Sequence, residues 1–199
     1  GLDSILLMAC DGVYKIPQLD PETVSYFKKL PGYDTLRLAL ANKIVLVEGP
    51  SDEIVFERVF EDIYKKRPME CGVDVLSMRG LSLKRCLELC KALDKKVAAL
   101  RDNDGTEPAE LSIQVQKWLA EGQRELFIGK VEDGVSLEPQ LIHFNGESVL
   151  RKILDLDTRA DLLKWMKREK TEGALRIAES KERITPPAYM HAAAEFIHG

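Results

Sequence analysis

Four short apolar runs, each leading into a segment of a different period, restrict this chain to a small set of architectures. Ile44-Val45-Leu46-Val47 is continuously apolar, the pattern of a strand buried on both faces. Glu48-Gly49-Pro50-Ser51 interrupts it, and Ser51 is placed to cap a helix whose Val55, Phe56, Val59, Phe60 and Ile63 share one side. Val73 to Ser77 predicts a second strand, Ser82 to Leu93 a second helix, and Val97-Ala98-Ala99-Leu100 a third strand. A helix around Ala109 to Ala120 and a fourth strand at Leu126 to Ile128 complete the series. Strands and helices alternating over short connections predict an α/β fold, a doubly wound parallel sheet with right-handed crossovers.

The flanks have a different character. Ser4 to Ile16 reads as two short strands about a Cys10-Asp11-Gly12 turn, and Pro17 to Asn42 as short helices broken by Pro31-Gly32. After Val131 the strand pattern stops, and five helices are expected: Leu137 to Phe144, Ser148 to Leu154, Ala160 to Lys167, Gly173 to Glu179 and Pro187 to Ile197. We therefore expect a lead-in over 1–42, a catalytic domain over 43–145 and a helical subdomain over 146–199. With 199 residues, 45% of them hydrophobic, the chain can bury one full core and an appendage. No run reaches the roughly 18 apolar residues of a membrane span. The four cysteines show no CxxC spacing, and Cys86 and Cys90, one helical turn apart, read as buried free thiols; a reducing, cytoplasmic compartment is expected.

The chemistry gathers at the ends of strands one and three. In an open α/β sheet the ligand crevice lies at the carboxyl ends of the strands, where strand order reverses. With order 2-1-3-4, Glu48 after strand one meets Asp102 and Asp104 after strand three, and Asp52 joins from the first helical turn. Crowded carboxylates repel more as water is excluded, so such a cluster needs cations or protons between its members. Hard oxygen donors favour Mg²⁺ or Mn²⁺ over zinc. Each motif also has a plainer reading: Glu48 to Asp52 as a turn with a helix N-terminal charge, and Asp102-Asn103-Asp104-Gly105 as a polar turn. Net charge is −4, so a nucleic-acid partner requires a local basic surface.

Val47-Glu48-Gly49-Pro50-Ser51-Asp52, followed by Leu100-Arg101-Asp102-Asn103-Asp104, resembles the Toprim domain of topoisomerases, primases and related nucleases. The resemblance is closer to the OLD (overcoming lysogenization defect) nucleases, and within them to class 2. It extends to Leu137-Glu138-Pro139, to Lys170-Thr171 opening a late helix, and to the Ile184-x-x-Pro187-x-x-Met190 stretch. The likeness implies a Rossmann-like Toprim sheet with a C-terminal helical subdomain. It also implies phosphodiester hydrolysis in DNA with two divalent ions, in such sites roughly 3.5–4 Å apart. By carry-over Asp102, Asp104 and Glu48 hold one ion, and Asp52 with Glu138 the other. Glu48 or a hydroxide on the ion acts as base, and Lys170 stabilises charge on the phosphate or leaving group. An upstream ABC-type ATPase domain is implied as well, since no GxxxxGK[ST] phosphate loop occurs here; dimerisation would run mostly through that region, leaving this part monomeric.

Between Arg159 and Arg183 eight basic residues face five acidic ones, and Lys164, Lys167 and Arg168 are the candidate DNA contacts there. Arg79, Lys84 and Arg85 form a second candidate patch, although a solvated helix face is the commoner use of such residues. Two rivals stay open. Asp102-Asn103-Asp104-Gly105-Thr106 also resembles the signature of haloacid-dehalogenase phosphatases, with Asp102 as nucleophile. A Toprim-like module without catalysis, binding DNA or a partner, is the other. Tyr64 and Tyr189 are nucleophiles in principle, but the further domains of a topoisomerase are missing from this sequence.

Overall fold

A computed structural model of the chain describes residues 6–9, 12–15, 20–28 and 37–199. Strands β1 (Leu6–Ala9) and β2 (Gly12–Lys15) pair antiparallel, as the hairpin reading requires; Cys10 and Asp11 at its turn lie outside the described residues. Helix α1 (Pro21–Lys28) follows, and residues 37–40 are again helical; the expected break at Pro31-Gly32 also falls outside the described residues.

The main sheet contains β3 (Lys43–Val47), β4 (Val73–Ser77), β5 (Lys96–Arg101) and β6 (Arg124–Ile128). All pairings are parallel and the order is β4-β3-β5-β6, the 2-1-3-4 arrangement expected from sequence. Both faces are covered, which is why the strands carry unbroken apolar runs. Val45, Val47, Val73, Val75, Ala98 and Leu100 point to one face. They pack there with Val55, Phe56, Val59 and Phe60 of α2 (Pro50–Tyr64) and Met190, Ala193, Ala194 and Ile197 of α9 (Ala188–His198). Ile44, Leu46, Leu76, Val97 and Ala99 point to the other face. Cys86, Leu87, Leu89 and Cys90 of α3 (Leu83–Ala92) cover them, with Phe27, Leu38 and Ala41 from the lead-in. The two thiols of α3 are buried, and burial pushes the pKa of Cys90 far up.

Two local expectations are corrected. The cap of α2 is Gly49, not Ser51: Pro50 takes the first helical position, Ser51 is buried inside the first turn, and Asp52 reaches back to the Gly49 N–H. The helix expected over Ala109 to Ala120 is shorter. Helix α4 spans Pro108–Ile113, and a 3₁₀ turn at Gln116–Trp118 brings Val115 and Trp118 into the second core. The buried Arg124 then fixes the chain: its Nε donates to the Trp118 carbonyl at 3.1 Å, and its backbone pairs with Ala120.

After β6 come α5 (Leu137–Asn145), α6 (Glu147–Leu154), α7 (Leu162–Arg168), α8 (Lys170–Glu179) and α9. Leu137, Leu141, Leu150, Leu154, Leu162, Met166, Ala174 and Ile177 extend the first core, so these helices share one hydrophobic cluster with the sheet. Arg58 of α2 ties α8 down. Its guanidinium donates to the carbonyls of Ile177, Ala178, Ser180 and Glu182 at 2.6–3.1 Å, satisfying orphan acceptors in the last turn of the helix and anchoring the segment that follows it. Among the described residues no helix is long and apolar enough to cross a membrane.

Candidate metal centre

The site lies at the carboxyl rim of β3 and β5. Glu48 leaves the end of β3, and its Oε1 accepts the backbone N–H of Asp102 at 3.3 Å, a direct link between the two motifs. Glu48 as a whole is open to solvent, yet partial burial of its carboxyl end raises its pKa. The Asp102 N–H, Arg101 and Lys170 oppose that rise, and Asp104 adds to it.

Asp52 projects from the first turn of α2, where Oδ2 accepts the Gly49 N–H at 3.0 Å. Its pKa is pushed up to about 6, first by burial and then, against the Gly49 hydrogen bond, by the charges of Glu48 and Glu138. The plainer reading of this motif is therefore realised in part, since Asp52 does cap its own helix. Among the described residues Asp102 is the most perturbed carboxylate, pushed up to about 8 by burial and by Asp52, Glu48 and Glu138, with Lys170 opposing. Asp104 is exposed in a left-handed conformation (φ 49°), and its backbone N–H donates to the Val135 carbonyl at 3.1 Å.

Glu138 enters from the first turn of α5 and is 4% exposed, which for a carboxylate demands partners. It has two: the Lys170 ammonium 3.1 Å from Oε1, and the Ser136 hydroxyl donating to Oε2 at 2.8 Å. Lys170 opens α8, an end where a cation opposes the helix dipole. Burial pulls its pKa down, but Glu138, Asp102 and Asp52 outweigh that and the net shift is upward, so the lysine stays charged.

Two residues that sequence reasoning had not placed in the site shape it. Asn103, fully buried between the two aspartates, donates from Nδ2 to the carbonyls of Gly129, Lys130 and Gly134 at 2.8–3.3 Å, and its Oδ1 accepts the Gly105 N–H. It fixes the loop that carries Ser136 and Glu138; an Asn flanked by two aspartates was the available signal. Tyr189 of α9 is buried next to the acids. Burial, then Asp52, Asp102, Glu48 and Glu138, hold its hydroxyl pKa well above the ordinary value, so it is a poor nucleophile.

Of the expected basic residues, Lys164, Lys167 and Arg168 are exposed on α7, with Arg168 paired to Glu169 at 2.8 Å. Arg79 is exposed on the loop after β4, its N–H bonded to the Glu48 carbonyl at 3.1 Å. Lys84 lines a cleft beside Glu48. Arg85 has other work: its guanidinium binds Thr23 and Glu22 at 2.6 Å and lies near Glu88 and Asp20, docking α1 onto α3.

The donor chemistry fits hard divalent cations: carboxylates of raised pKa face one another across a rim, and positive charge relieves them. Among the described residues, however, no three carboxylate, imidazole or thiol groups close around a single point. Lys170 supplies the counter-charge to Glu138.

A parallel 2-1-3-4 sheet with a glutamate after its first strand and an Asp-x-Asp after its third defines a Toprim-type domain. Residues 40–104 match the family described as Overcoming lysogenization defect protein-like, TOPRIM domain. No curated protein matches the chain in sequence. Among solved structures, the C-terminal region of the Burkholderia pseudomallei OLD protein aligns with a TM-score of 0.61 at 20% identity, covering 79% of this chain and 97% of that one. The C-terminal region of the Xanthomonas campestris pv. campestris OLD protein aligns at 0.56 and 18% identity, covering 80% and 95%. The chain thus has the fold of the C-terminal region of OLD proteins.

Proposed function

We propose that this chain is the catalytic part of a divalent-metal-dependent DNA endonuclease of the cytoplasm, working beside an ABC-type ATPase domain. The observation that carries the reading is the meeting of Glu48, Asp52, Asp102, Glu138 and Lys170 from separate elements at one rim, where Asp102 is pushed up to about 8. Asp102, Asp104 and Glu48 would hold one Mg²⁺ or Mn²⁺ ion, and Asp52 with Glu138 a second. Bound ions supply charge neutralisation at the scissile phosphate and acidify the attacking water. The chain's own groups do the rest. Glu48, its pKa raised by partial burial, accepts the proton of the attacking water. Lys170, held charged by Glu138, neutralises charge on the phosphate or leaving oxygen. Buried Asn103 keeps Glu138 in register with the two aspartates, and exposed Lys164, Lys167 and Arg168, with Arg79, supply phosphate contacts without sequence readout.

Purified chain is expected to nick or linearise plasmid with Mg²⁺ or Mn²⁺, leaving 5′-phosphate and 3′-hydroxyl ends, and to stop in chelator. Cutting that persists in the double variant Asp102→Ala/Asp104→Ala sinks the reading. One observation favours a second reading, a Toprim-like module that binds DNA without cutting it: the Lys170 ammonium already pairs with Glu138 where a metal ion would otherwise stand. Calorimetric titration with Mn²⁺ separates the two, since the binding module takes up no ion at the rim. The phosphatase alternative has no support in a sheet where Asp102 follows the third strand.

A further inference from the structure

A cleft adjoins the acidic rim from the α3 side of the sheet. Alternation along β5 sends Ala98 and Leu100 to the face covered by α2 and α9, and Asp102 continues that series. Val97 and Ala99 face α3, and Arg101 continues theirs; in β3, Ile44 and Leu46 lead to Glu48 in the same way. On that side a cleft of about 340 Å³ opens, lined by Glu48, Met78, Leu81, Lys84, Arg101 and Val115.

Its chemistry is mixed in a telling way. Among the described residues of the lining Glu48 is the only carboxylate, against the two cations Lys84 and Arg101. The Arg101 side chain makes one hydrogen bond among the described residues, a long one of 3.5 Å to Gln114 Oε1, which leaves most of its five donors for a ligand. Ser82, also in the lining, stands at the N-cap of α3 with its side chain making no cap hydrogen bond, so the positive end of that helix adds to the field. Met78, Leu81 and Val115 give an apolar wall. Volumes of roughly 300 Å³ upward suit small-molecule ligands, and anion-binding donors beside an apolar wall match a phosphate joined to a sugar and base.

We infer that this cleft is a nucleotide subsite, seating one nucleotide of the DNA strand beside the phosphodiester at Glu48. Its phosphate lies on Arg101 and Lys84, and its base lies against Met78, Leu81 and Val115. The inference rests on the nuclease reading for the identity of the strand, and Arg101 becomes a substrate-binding residue alongside the acids.

The test uses deoxythymidine monophosphate (dTMP) as probe and the whole chain with labelled methyl groups, in chelator. Expected are NMR shifts at Met78, Leu81 and Val115, weakened at least tenfold by Arg101→Gln and by the surface change Lys84→Ala. With Mn²⁺, dTMP should compete with oligonucleotide cutting, and both variants should raise KM far more than they lower kcat. Shifts confined to other regions, dTMP binding without competition, or an unchanged KM in both variants overturns the subsite. Because the titration runs without metal, it reads the cleft even if the protein never cuts DNA; failure of the nuclease reading shows separately, as cutting that ignores Asp102→Ala/Asp104→Ala.

Discussion

Asp102 concentrates the energetic conflict of the site in one side chain. It is partly buried, faces Asp52, Glu48 and Glu138, and has Lys170 as its opposing cation, which is how its pKa reaches about 8 while that of Asp52 reaches about 6. An unfolded aspartate titrates near 3.9. Between those values the folded chain binds more protons than the unfolded one, so stability falls as pH rises. The contribution is complete below about pH 4 and is lost as pH climbs through about 6 for Asp52 and about 8 for Asp102. Metal-free protein is therefore expected to melt several degrees higher at pH 5 than at pH 8.5, and Mn²⁺ to restore the loss at high pH; a flat melting profile in chelator contradicts the account. Asp102→Asn removes the same charge. It should raise the melting temperature at pH 8.5 in chelator while lowering cutting at least about a hundredfold, the scale of losing one charge-stabilising group.

At the level of elements, the site depends on a loop held by Asn103, the residue between its two aspartates. Residues 129–136 connect β6 to α5, and their carbonyls at Gly129, Lys130 and Gly134 converge on Asn103. Gly134 has φ 134°, and a Cβ there would meet the Gln140 backbone nitrogen at 2.9 Å, so the turn into α5 admits only glycine without strain. Asn103→Ala leaves those carbonyls short of a donor and should cost about 2–4 kcal/mol, measured by urea denaturation, with the loss of cutting exceeding the loss of folded protein. Helix α9 is equally integral. Met190, Ala193, Ala194 and Ile197 are fully buried in the first core, so removing residues 188–199 should abolish cooperative unfolding in calorimetry.

Over the whole molecule, charge is segregated rather than balanced. The net charge of −4 is compatible with a DNA partner because acids gather at the rim while Lys164, Lys167 and Arg168 lie exposed on α7 and Lys84 and Arg101 line the cleft. Replacing Lys164 and Lys167 together with Ala should weaken DNA binding regardless of sequence and reduce the slope of log K against log salt by about 2. An unchanged slope places the DNA elsewhere.

The amino-acid order alone determined the sheet. Apolar runs of strand length, spaced by helical stretches, admit little but a parallel doubly wound layer, and the acids that follow Val47 and Leu100 must then share one rim. Glu138 and Lys170 came from the resemblance to the OLD nucleases, and tertiary structure paired them across two helices at 3.1 Å. Tertiary structure alone decided that Arg85 docks a helix and that Arg101 faces a cleft. It also decided that Asp52 caps α2 and that the segment expected as a helix to Ala120 gives way to a 3₁₀ turn. Periodicity follows from the chain's own geometry and is local, whereas the partner of a charged side chain depends on which distant elements fold against it.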